Sequence, residues 1–261
     1  MTSLRIFAVG GLISYRALFY WLSFSIYVPS LIVAPIFQIL LFAYIGRSAG
    51  LASDEFYVVG NSIQYAAVPC LFAMTQLVGG EKFQHTLGAI LVSPAPRLPL
   101  FFGRAVPVVA NGAFVAAFSL LVGSLILDVD IPASSIPALA LVIGVAALSC
   151  TGLGLINAAI ALRVRETAVL SNVLFGFLLI FTGANVPLDE LPGWMRVVSD
   201  AIPFTHSIEA ARRLADGASA SSVLDLVGTE LLIGAAYLMA GYLLLRFFEY
   251  QGRRHATLDR S

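Results

Sequence analysis

Charge is what this chain has least of: Asp, Glu, Lys and Arg make up 11% of its residues, against about a quarter in soluble domains, and Lys82 is its only lysine. So little charge cannot keep a folded surface in water, which excludes a soluble globular domain. The formal net charge is zero, and no nucleic-acid partner is expected. Cysteine is nearly absent. Cys70 and Cys150 lie among apolar neighbours, where thiols pack as small groups, so neither a disulfide framework nor a metal site is indicated. His85, His206 and His255 fall in three separate polar segments, and a shared metal is not expected. A phosphate loop needs glycines and a Lys-Ser/Thr pair to hold phosphates, yet Lys82 is followed by Phe83. The chain is therefore not expected to hydrolyse ATP alone. No His-Glu-x-x-His pair occurs, and no catalytic residue is nominated. Alternating strand patterns are lacking as well, which argues against an outer-membrane barrel.

What fills the chain is apolar: 59% of it is hydrophobic, with a mean hydropathy of +0.91. Crossing about 30 Å of hydrocarbon takes roughly 20 helical residues, and six runs of that order are predicted, at 24–46, 57–79, 100–127, 134–162, 167–186 and 226–248. The third and fourth exceed the need and are expected to tilt or project. The expected fold is all-α, one polytopic membrane domain over residues 1–261. Residues 1–23 read as an interfacial amphipathic helix rather than a cleaved leader. Arg5 and Arg16 bracket the segment, Tyr15, Phe19, Tyr20 and Trp21 cluster at its end, and no small-x-small cleavage site follows. The alternative is an extended start of the first span.

Basic residues accumulate on cytoplasmic flanks, so an inside N-terminus puts Arg5, Arg16, Lys82, Arg97, Arg104, Arg163, Arg165, Arg246, Arg253, Arg254 and Arg260 in the cytoplasm. Arg47, Arg196, Arg212 and Arg213 fall outside, together with most acids, among them Asp54, Glu55, Asp128, Asp130, Asp189, Glu209, Asp216 and Glu230. Both termini are expected to be cytoplasmic.

Polar side chains inside spans are costly unless they face protein or a water-filled path. Gln38, Gln64, Asn111, Asn157, Asn172 and Asn185 are the candidates for a substrate path, with ordinary interhelical hydrogen bonding as the competing explanation. Ala140 and Gly144 have a small-x-x-x-small spacing that permits close helix approach.

Two segments carry more. The insert at 80–97, Gly80-Glu81-Lys82-Phe83-Gln84-His85-Thr86-Leu87 and onward to Ser93-Pro94-Ala95-Pro96-Arg97, is polar and helix-capable between long apolar stretches. After the fifth run, Thr182-Gly183-Ala184-Asn185-Val186-Pro187 breaks the helix, and the spacing then places Leu191, Trp194, Met195, Val198 and Ile202 on one helical face. A second short helix is expected from Phe204 to Leu214. Irregular backbone at membrane depth must be shielded, so 187–215 is read as a pair of short external or partly re-entrant helices before the last span, with Trp194 at the interface.

With these elements in hand, the chain resembles the ABC-2 type exporter permeases, six-span subunits that work with a separate ATP-binding-cassette protein. The resemblance rests on the interfacial start, Gly80-Glu81 with Thr86-Leu87 and Ser93-Pro94, and the Arg163-Val164-Arg165-Glu166 bend. It continues through Gly183, Pro187, Leu191-Pro192-x-Trp194 and Pro203-x-Thr205-x-x-Ile208-Glu209-x-x-Arg212, the most discriminating part. It implies a coupling helix near 81–92, with Glu81, Lys82, His85, Thr86, Leu87 and Leu91 against an ATPase subunit present in two copies. It also implies a second permease, as homodimer or heterodimer, in a bacterial cytoplasmic membrane. ATP and Mg would be held by the partner, with no cofactor on this chain. Where the family often has Gly-Thr-Leu-Glu, this chain has His85-Thr86-Leu87-Gly88. The expected activity is ATP-driven export of an amphipathic drug, antibiotic or lipid, with a polysaccharide or glycolipid as a further option. An ion-coupled secondary transporter is the alternative from another class, and a structural membrane subunit a third.

Overall fold

The computed structural model describes residues 24–76, 97–164 and 167–255. The expected interfacial helix at 1–23, all of the 80–97 insert except Arg97, and Arg165-Glu166 lie outside them. Among the described residues every regular element is helical. Two helices open the bundle, α1 (Ser25–Ala49) and α2 (Asp54–Gln76). There follow α3 (Arg97–Leu127), α4 (Ile136–Ala161), α5 (Thr167–Phe181), α6 (Gly193–Ala201), α7 (Thr205–Ala215) and α8 (Leu224–His255).

Among the described residues five segments are long and apolar enough to cross a membrane: Ser25–Ala49, Asp54–Gln76, Ala105–Leu127, Ala133–Ala161 and Ala220–Phe248. Within the predicted sixth run, 167–186, helix α5 covers 15 residues, about 22 Å, which is shorter than the roughly 30 Å of hydrocarbon. Its end is chemically specified. Thr182 Oγ1 donates to Leu178 O at 2.8 Å and Asn185 Nδ2 to Leu179 O at 3.2 Å, while Gly183 turns the chain at φ 75°. Asn185 thereby satisfies a carbonyl that a continuing helix would have bonded to its own amide, while Leu178 O also accepts from the amide of Thr182.

The α1–α2 turn is written locally. Gly50 takes the left-handed conformation that closes α1, and Ser53 caps α2 by accepting from Phe56 N at 3.3 Å. Arg47 and Asp54 pair across the turn. The same stretch, Gly46-Arg47-Ser48-Ala49-Gly50, has the spacing of a nucleophile elbow but none of its strand-turn-helix context. It ends a helix, and Ser48 Oγ donates to Ile45 O at 2.8 Å. Prolines shape both helices: wide π-type turns occupy Val28–Val33, containing Pro29, and Pro69–Ala73. Tyr65 Oη donates at 3.2 Å to the carbonyl of Ser30, inside the first of these, and thereby ties α2 to α1.

Helix α2 is the most enclosed of the five long segments, and the first and last are the least. The most extensive helix pair is α4 with α8, and its closeness comes from glycine. A Cβ on Gly152 would stand 2.8 Å from Leu238 N, and one on Gly234 would stand 2.8 Å from Ser149 Cα. At the Ala140–Gly144 spacing no helix of this chain approaches closely, because nothing lies within 4 Å of where a Gly144 side chain would begin. Gly234→Val is therefore expected to destabilise by about 1–3 kcal/mol through overpacking, whereas Gly144→Ala should be neutral or slightly stabilising. Thermal melting of the two purified variants in detergent checks the contrast.

Candidate functional site

The 183–216 region is built around α7, and α7 is held at both ends by buried charge. Its N-terminus lacks a local cap. Phe204 occupies the N-cap position at φ 81° with a side chain that cannot accept a hydrogen bond. The missing acceptor comes from the last long helix. Glu230, fully buried, accepts from Phe204 N through Oε1 at 2.9 Å and from Ser207 N through Oε2 at 3.2 Å. A carboxylate placed there satisfies two orphan amides and faces the positive end of the helix dipole. Counted among the external acids and within the predicted span 226–248, Glu230 lies in the second turn of α8. The signal was present: an acid within a predicted span is a functional or structural anchor by default.

In the last turn of α7, Arg212 does the complementary work. Its Nη2 donates to Gly183 O at 2.9 Å, Phe56 O at 3.2 Å and Ala184 O at 3.3 Å, and its guanidinium carbon lies 3.5 Å from the centre of the Phe56 ring. One cation thus joins α7 to the break after α5 and to the first turn of α2. Burial lowers its pKa to about 10, against the opposing attraction of Glu209, Tyr57 and Asp216, so it stays charged at neutral pH. Gly60 leaves the room for it. A Cβ there would sit 2.7 Å from Arg212 Nη2 and 2.7 Å from Ala184 O. Gly60→Ala is expected to displace this contact and lower the melting temperature, while an alanine at Gly193, which has nothing near it, should not.

The other residues nominated here have plainer surroundings. Pro187 precedes a 3₁₀ turn at Leu188–Glu190, and Pro192 precedes α6. Leu191 is buried but extended, and Ile202 is likewise extended beyond the helix end. The helical face expected to hold both residues is thus confined to Met195 and Val198, which pack on the core. Trp194 is 65% exposed, its ring edge-on to Phe181 at 6.2 Å. Pro203 is buried in the turn before α7. Glu209 does not pair with Arg212; it accepts from exposed Arg213 at 2.9 Å.

The nominated span residues make separate contacts. Gln38 Nε2 donates to Asn61 Oδ1 at 3.0 Å and approaches Gln64 Oε1 at 3.5 Å, joining α1 to α2. Asn111 Oδ1 accepts from Tyr27 Oη at 2.7 Å. Asn157 Nδ2 lies 2.7 Å from both Thr75 Oγ1 and Ser171 Oγ, tying α4 to α2 and α5. Asn185 ends α5 as described, and Asn172 is exposed on α5. Asn61, Thr75 and Ser171 are the partners that sequence reasoning missed. Gln64 Nε2, Asn111 Nδ2 and Asn157 Oδ1 remain buried without a hydrogen-bond partner. The coupling residues Glu81, Lys82, His85, Thr86, Leu87 and Leu91 lie outside the described residues. Among the described residues no three His, Cys, Asp or Glu side chains gather as metal ligands.

Comparison with known proteins places this geometry. Residues 10–214 match the ABC-2 type transporter family, and the chain belongs to that family. It is 25% identical over 212 residues to the "Probable multidrug ABC transporter permease YbhR" of Escherichia coli (strain K12), and equally to the protein of that name from Escherichia coli O157:H7. Each alignment covers 77% of this chain and 57% of the relative, so the chain spans little more than half the length of these relatives. With its apolar helices, this makes it a multi-pass integral membrane protein.

Proposed function

We propose that this chain is the membrane subunit of an ATP-driven exporter, with both termini in the bacterial cytoplasm and a separate ATP-binding-cassette subunit, in two copies, supplying ATP and Mg chemistry. The observation that carries this reading is the family match over residues 10–214, which takes in both the 81–92 insert and the Arg212 motif. In it, Glu81, Lys82, His85, Thr86, Leu87 and Leu91 dock on the ATPase, and a second permease subunit completes the route. The chain itself is non-catalytic. ATP closing the partner dimer would move the coupling helices and shift one permease against the other, exposing the route alternately to the two sides. The α5–α7 region, partly re-entrant from the outer side, shapes the exit. Apolar walls with few charges favour an amphipathic drug, antibiotic or lipid, in keeping with the multidrug name of the relatives.

Copurification with the ATPase, followed by its activity in lipid nanodiscs, tests this. Replacing 81–92 with a Gly-Ser linker is expected to abolish both complex formation and transport-stimulated ATP hydrolysis while leaving the melting temperature of the isolated permease unchanged. Transport that persists in ATP-depleted vesicles under an ion gradient would favour a secondary transporter. That alternative would draw on Glu230, the buried carboxylate of the last span, but both its oxygens are already engaged by main-chain amides.

A further inference from the structure

The Ala140–Gly144 face, which packs no helix closely, borders a cavity instead. Between the ends of α3 and α4 that meet the 128–132 loop lies a space of about 340 Å³, within the roughly 300–1,000 Å³ of ordinary ligand pockets. Ala117 and Ala140 provide small-residue wall, and Leu121, Leu125 and Ile136, all more than half exposed, also line it.

Its one unusual group is Ser124. Helical serines in apolar surroundings usually donate back to the carbonyl four residues earlier, as Ser119 does to Val115 O at 2.6 Å. The hydroxyl of Ser124 lines this cavity, is buried and has no hydrogen-bond partner. It stands three residues, about 5 Å, from the end of α3 at Leu127, close to the polar 128–132 loop. Above it, Val129 and Ile131 line the cavity while Asp128 and Asp130 between and beside them are exposed. Neither carboxylate has an ion-pair partner among the described residues. An acyl chain in the apolar space, an ester carbonyl accepting from Ser124 and an ammonium facing the two aspartates would engage the cavity, the free hydroxyl and both carboxylates, with the lipid phosphate turned to water.

We propose that this cavity binds a zwitterionic aminophospholipid of the phosphatidylethanolamine type, taken from the leaflet that meets the 128–132 loop. Anionic phosphatidylglycerol offers the same chain and ester but no ammonium, and its charge is repelled by Asp128 and Asp130. The site does not depend on the transport reading and stands or falls separately from it.

Native mass spectrometry of the delipidated full chain in detergent, titrated with phosphatidylethanolamine or phosphatidylglycerol, is the test. The wild type is expected to retain one phosphatidylethanolamine per protomer at least threefold more tightly than phosphatidylglycerol. Ser124→Ala should weaken that adduct by about two- to tenfold, the worth of one hydrogen bond. The Asp128→Asn, Asp130→Asn pair should erase the headgroup preference, and Ala140→Phe should fill the cavity and remove the adduct. Should Ala140→Phe fail to fold, the two surface substitutions decide alone. Equal adducts of both lipids in the wild type, or a preference unmoved by the aspartate variants, would mean unselective annular lipid and overturn the proposal. A dimer of the chain that Ala140→Phe splits, with no lipid preference, would assign the cavity to a second copy and overturn it equally.

Discussion

Glu230→Leu is expected to cost about 3 kcal/mol or more. The substitution leaves the amides of Phe204 and Ser207 buried without an acceptor, at about 1–3 kcal/mol for each orphaned group. It also removes the charge that faces the helix dipole. For a chain of this size that corresponds to a fall in melting temperature of roughly 6–12 °C, read in detergent by intrinsic fluorescence. Glu230→Gln keeps one carbonyl oxygen but turns an NH₂ toward the second amide, so it should lose about half as much. Were Glu230 instead a solvated loop acid, both variants would melt within about 1 °C of the wild type, as exposed substitutions commonly do.

Arg212→Ala should produce a loss of similar size at the other end of α7. Three main-chain carbonyls lose their shared donor, and the Phe56 ring loses its cation. Hydrogen bonds to charged groups contribute about 1.5–3 kcal/mol each but are not additive when they share one donor, so about 2–4 kcal/mol is expected. Arg212→Lys should recover less than half of this, because a compact ammonium cannot reproduce a planar guanidinium stacked on a ring. Glu209→Gln is the control. Its partner is exposed Arg213 in a helix-surface pair, and its removal should change stability by about 0.5 kcal/mol or less. Since Glu230 and Arg212 secure opposite ends of one short helix, the double variant should cost less than the sum of the singles. Once either end is released, the other restrains less.

Much of the architecture was written plainly in the chain. Apolar runs of bilayer length located five of the helices, because a helix that crosses lipid must be continuous and nearly uncharged. The break at Gly183, the two short helices after it and the prominence of Arg212 were also legible, the last through a motif whose spacing is local. Where reading the chain fell short, the cause was a partner distant in sequence. Arg212 finds Phe56 156 residues away, and nothing near either residue announces the pairing. Glu230 was counted only as an external acid because charge by segment ignores what a carboxylate faces; its amides are 23 and 26 residues earlier. The glycine contact of α4 with α8 needs Gly152 opposite Leu238 and Gly234 opposite Ser149, a register that neither helix encodes alone. The length of α5 was overestimated because apolar character runs past Phe181, whereas Gly183 turns the chain and Asn185 bonds one of the helix's last carbonyls.

Peptide-level hydrogen exchange over residues 203–216 in detergent or nanodiscs tests the doubly anchored helix most directly. In the wild type the amides of Phe204 and Ser207 should exchange as slowly as those of enclosed α2, and Glu230→Gln should raise their rate selectively while α2 stays protected. Rapid exchange of those two amides in the wild type, or a pattern unaltered by Glu230→Gln, would contradict the account.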